Sequence, residues 1–110
     1  MNLIKKIEAG QCSIDELQLL LNEANPIVLY HVMTYVGKEK LGSTGINEKL
    51  EELTSRRGAS DKLIGYYKVG DLAIATLIKL DKKTDEIAIF KSMDDFEKKM
   101  IYNLIEELEW

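Results

Sequence analysis

This sequence predicts an all-α fold of antiparallel helix pairs, about six helices in a single domain over residues 1–110, and three observations carry the prediction. Apolar residues recur at helical spacing through several separate stretches. Helix start and stop signals fall between those stretches. The one segment with clear strand-like alternation, "DEIAIFKS", has too little company to build a sheet.

Ser13 followed by Glu16 is a reciprocal start signal, in which the hydroxyl caps the helix and the glutamate reaches back. A helix over Ile14 to Glu23 is expected from it, with Ile14, Leu17, Leu20 and Leu21 as its stripe. Asn25-Pro26 ends that helix and begins the next, because proline fits a first turn and pushes its predecessor out of helical conformation. The second helix, Pro26 to Lys40, puts Val28, Val32, Tyr35 and Val36 on one side; Ile27, Leu29 and Met33 make it apolar nearly all round, as in a helix packed on more than one face.

"LGSTG" interrupts the chain before an amphipathic helix on Ile46, Leu50 and Leu53, stopped at Gly58. "ASDKLIGYY" supports one helical turn at most. "VGDLAIATLIKLDKK" is the next helix, with Val69, Leu72, Ala73, Leu77 and Leu80 inward. Ser92 and Asp95 form a second capping signal, and Phe96, Met100, Leu104 and Leu108 stripe a last helix to Glu109. A competing α+β reading takes "IVLYHVMTYV" and "EIAIF" as strands because they are rich in β-branched and aromatic residues.

Val28, Val32 and Val36 recur as Val69, Ala73 and Leu77 at one constant offset, of the size found in paired-helix repeats. On these residues the chain resembles small bacterial HEAT-like repeat proteins. "NPIVLYHVMTYVG" is similar to the family's proline-valine inner helix, and "KVGDLAIATLIKL" to its counterpart in the next repeat. Leu29 and Gly70 stand where that pattern has arginine, and Val32 and Tyr35 where it has alanine. The resemblance covers about Ile14 to Leu80 and implies a short right-handed stack of two repeats, its end helices capping exposed apolar faces.

Composition narrows the function. The 110 residues are 45% hydrophobic and 31% charged, which suits a folded domain. A net charge of −4 argues against nucleic acid as partner, since phosphate binding needs clustered cations and Arg56-Arg57 is the only arginine pair. The single Cys12 cannot form an internal disulfide, and no run approaches membrane-spanning length. A cytoplasmic location with no membrane partner is expected, and no metal or cofactor is implied.

Few residues suggest chemistry. Gly70-Asp71 at a helix start reads as helix punctuation, with a polar contact to a partner as the other use. His31, the sole histidine, has no nucleophile motif or helical metal spacing beside it. "GSTG" lacks the lysine of a phosphate loop, and "DKKTDE" lacks the glycine and alternating ligands of a calcium loop. Tyrosine gives contact area at little entropic cost, so the five tyrosines point to an interface. Tyr66 and Tyr67 cannot both face one core; with Tyr30, His31 and Asp71 they form the candidate partner-binding set.

The resulting expectation is a non-enzymatic protein-interaction module. The resemblance implies an immunity protein that neutralises a cognate toxin by occlusion, its partner a basic toxin domain. Two other uses remain open: a small enzyme or ligand-binding protein using His31 with carboxylates, and a structural or self-associating domain.

Overall fold

The local start signals are visible as hydrogen bonds. The computed structural model describes residues 3–63, 67–108 and 110, and among them the chain forms seven α-helices, two 3-10 turns and no strand. The helices are α1 (Leu3–Glu8), α2 (Ile14–Leu20), α3 (Pro26–Glu39), α4 (Thr44–Leu53), α5 (Val69–Lys79), α6 (Ala88–Ser92) and α7 (Asp95–Glu107). Ser13 Oγ accepts from the Glu16 amide at 3.1 Å and Glu16 Oε1 from the Ser13 amide at 3.2 Å, closing the first turn of α2. Asn25 Oδ1 accepts from the Ile27 amide at 2.9 Å and starts α3 with Pro26 in its first turn.

Helix α5 is the centre. Every residue from Val69 to Leu77 is buried, and the helix packs against α3, α4 and α7. Helix α1 lies on α3, and α2 touches both α3 and α4. The core joins Leu29, Val32, Met33 and Val36 of α3, Ile46, Leu50 and Leu53 of α4, and Ile101 and Leu104 of α7 around α5. No helix among the described residues is long and apolar enough to cross a membrane.

Several expectations are corrected. Among the described residues seven α-helices replace about six: α1 and α6, short elements without strong periodicity, are added, and the turn expected in "ASDKLIGYY" is the 3-10 turn Ala59–Asp61. The α+β reading fails. "EIAIF" enters a 3-10 turn, Thr84–Glu86, and then α6, placing Ile87, Phe90 and Met93 inward at three-residue spacing. The second capping box is Asp94 with Glu97, not Ser92 with Asp95. Asp94 Oδ1 accepts from the Glu97 amide at 2.8 Å, while Ser92 Oγ donates to the Ile89 carbonyl and finishes α6. The inward row of α7 is Ile101 and Leu104, continued by Leu108 just past its end, and Phe96 stands 72% exposed. Ile14 is likewise out in solvent, and α2 stops at Leu20, three residues before the expected end.

Helix α4 also ends early, at Leu53 and not at Gly58: the Arg56 amide donates to the Leu53 carbonyl at 3.0 Å, three residues back instead of four, and the Arg56 carbonyl accepts from the Gly70 amide at 2.8 Å. Trp110 folds back over Gly37, where a Cβ would lie 2.6 Å from two ring carbons, and donates its indole N–H to the Ile105 carbonyl at 2.9 Å. Gly37→Ala should therefore lift the sole tryptophan off α3 and shift its fluorescence emission to the red. An unchanged emission maximum would show that the ring accommodates a methyl group.

Candidate functional site

Helix α3 divides its residues between two uses. Leu29, Val32, Met33 and Val36 are buried in the core. Pro26, Ile27, Tyr30, His31, Thr34, Tyr35, Lys38 and Glu39 recur at one and four residues along the opposite side, as helical geometry requires of a single face. That face forms the wall of a groove running the length of the helix.

Three depressions lie in succession along that face, each sharing lining residues with the next. A pocket of about 200 Å³ is lined by Pro26, Ile27, Tyr30, Lys62 and Leu63. Tyr30 also borders a depression of about 430 Å³ with Glu8, His31, Thr34, Glu107 and Leu108. Glu8, His31 and Thr34 continue into a third, of about 320 Å³, closed by Tyr35, Lys38 and Glu39. Helix α1 contributes Glu8 and the end of α7 contributes Glu107.

The side chains are held from behind. His31 Nδ1 lies 3.3 Å from Glu8 Oε1, and the Tyr30 ring meets the imidazole edge-on at 5.3 Å. Gly10, with φ of 72°, turns the chain out of α1 so closely past Tyr35 that a Cβ there would lie 3.0 Å from the phenol oxygen. The Thr34 hydroxyl donates to the Tyr30 carbonyl at 2.8 Å, within its own helix. Burial pushes the Tyr67 phenol above its ordinary pKa, and the neighbouring Glu107 carboxylate raises it further. Tyr67 thus stands behind the same groove through Glu107.

Tyr30 and His31 are therefore together, with Tyr67 adjacent through Glu107. Tyr66 lies outside the described residues. Asp71 belongs to a different cluster and is 5% exposed. Its Oδ2 accepts from the Lys68 amide at 3.0 Å, and Oδ1 lies 3.4 Å from Arg57 Nη2, which also reaches Glu97 at 3.0 Å. The carboxylate closes the first turn of α5 and fixes the α4–α5 connection against α7.

The arginine pair has the same structural use. Arg56 holds Asp61 at 2.9 Å and donates to the Ala24 carbonyl at the α2–α3 corner. The Gly58 amide donates to Asp61 and, with Arg56, holds that carboxyl below its ordinary pKa. In "GSTG", Ser43 Oγ caps α4 by accepting from the Ile46 amide at 3.2 Å. "DKKTDE" supplies Lys82, 2.9 Å from Glu51. No group of three or more potential metal ligands occurs among the described residues.

Glu8, Glu107 and the Ile27–Leu63 pocket are groove residues that sequence reasoning did not single out. Tyr35, expected in one row with Val28, Val32 and Val36, lines the groove instead; the two carboxylates come from opposite ends of the chain. The groove can grip aromatic, apolar and cationic groups together. Compared with known proteins, the chain matches no family model, no curated protein and no solved structure.

Proposed function

We propose that this chain is a non-enzymatic protein-interaction module, a short HEAT-like stack whose binding surface is the α3 groove. The order of packing supports the stack: α3, α5 and α7 are successive neighbours, and α2 lies on α4 beside them. One observation carries the functional reading. Two tyrosines, a histidine and three carboxylates (Tyr30, Tyr35, His31, Glu8, Glu39 and Glu107) share one open groove on an acidic protein.

Such a surface recruits a basic protein, steered by charge and held by aromatic contact. Within this class the proposal is an immunity protein, which neutralises a toxin by covering a basic functional surface.

A photo-crosslinking side chain at position 30, with one at position 96 as control, tests this in the source cells. The expected adduct at position 30 is a basic protein that arrests growth when expressed alone and is harmless when this chain is co-expressed. Glu8→Lys with Glu107→Lys should weaken the complex about tenfold or more, with an effect that shrinks at high salt. No adduct at position 30, or one with an acidic protein, would remove the interaction reading. A basic partner that is harmless on its own would remove only the immunity function.

A further inference from the structure

We infer that the α3 groove takes one short segment of its partner, basic along most of its length and carrying a single large apolar side chain at the end that meets Pro26. This rests on the interaction reading above and adds the mode of recognition.

The groove changes character from end to end. Around Pro26 the lining is apolar, from Ile27, the Tyr30 ring and Leu63, and among the described residues Lys62 is the only charged one there. Ile27 is 60% exposed there, beside a pocket of about 200 Å³, which has room for one large side chain. Beyond Tyr30 the lining turns acidic, with Glu8, Glu107 and Glu39 set against Lys38 and His31.

An apolar anchor is therefore favoured at one end and cations over the rest. Lys62 discourages the reversed arrangement, because it would meet a cation of the segment at the apolar end. The charge pattern thus sets the direction in which the segment lies. A second copy of this chain is the poorer occupant, since it also carries a net charge of −4.

Length fits a segment as well. The 14 residues of α3, at about 1.5 Å each, give a length of about 20 Å, which spans about 13 residues of helix or six of extended chain.

A display library of random peptides about 12 residues long, selected on the immobilised protein, tests the proposal. Winners should carry several Lys or Arg and one large apolar residue toward one end. Ile27→Asp and Glu8→Lys should each weaken a fluorescein-labelled winner about tenfold, whereas Phe96→Ser should not. Circular dichroism of each variant separates lost binding from lost folding.

Winners without that pattern, or winners insensitive to both groove variants, overturn the segment. If the library gives no binder while the position-30 crosslink still captures a basic protein, recognition is by a folded surface; the segment fails and the interaction reading stands. Dimerisation abolished by Ile27→Asp overturns it in favour of self-association. Failure of both library and crosslink removes both.

Discussion

Leu77→Ala is expected to destabilise the protein by about 3 kcal/mol, the middle of the range for truncating a buried leucine. Leu77 is 0% exposed on a helix that packs on three others. Leu77 belongs to the core that α5 shares with residues of α3, α4 and α7, so the space left behind is enclosed by packed side chains. The loss therefore combines transfer of the removed carbons with a cavity that persists. Leu19→Ala supplies the contrast. Leu19 is 69% exposed on α2, and its truncation should fall within about 0.5 kcal/mol of the parent. Urea denaturation of both variants measures the difference, with similar midpoints counting against α5 as the central element.

The buried condition of α5 was only half legible in the sequence. Its inward row of Val69, Leu72, Ala73, Leu77 and Leu80 follows from a period of 3.6; the first four are buried and Leu80, past the end of the helix, is half-buried. Periodicity gave no notice that Ile74, Ala75 and Thr76 are buried too, because a helix enclosed on several sides has no outward face to set the phase. Thr76 is accommodated by donating its hydroxyl to the Leu72 carbonyl at 2.8 Å, a bond inside its own helix.

Capping was legible where one candidate stood alone and ambiguous where two competed. Ser13 with Glu16 has no rival. Near residue 94, Ser92 with Asp95 and Asp94 with Glu97 offer the same spacing, and local chemistry does not separate them. In the structure Asp94 and Glu97 close the box while Ser92 finishes α6. The inward face of α7 is a separate matter of packing, which buries Ile101 and Leu104 and leaves Phe96 outside.

The candidate site shows the same division. Tyr30 and His31 are neighbours on one helix, so their common face needs no tertiary information. Glu8 and Glu107 reach them only because α1 packs on α3 and the end of α7 closes beside it. Asp71 was legible as a helix-start residue but not as a buried partner of Arg57, which stands well before it in the sequence and outside α5.

Gly70→Ala is expected to lower stability by about 2 kcal/mol and the melting temperature by about 10 °C. A Cβ at position 70 would lie 2.5 Å from the Thr54 carbonyl oxygen and 3.0 Å from that of Arg56, with Arg57 Cγ at 2.7 Å. Two of these three obstacles are backbone, so relief requires moving the end of α4 away from the start of α5. That movement would strain the bond from the Gly70 amide to the Arg56 carbonyl and loosen Arg57 from Asp71. The better helix propensity of alanine, worth about 1 kcal/mol in a helix interior, offsets little in a first turn. Gly45→Ala is the control. A Cβ there meets the far end of the Gln18 side chain, which can swing aside, so the expected change is within about 0.5 kcal/mol. Equal urea midpoints for the two variants would show that the α4–α5 connection yields as easily as a glutamine side chain. The expected inequality would identify Gly70 as a position where the backbone after α4 leaves no room for a Cβ.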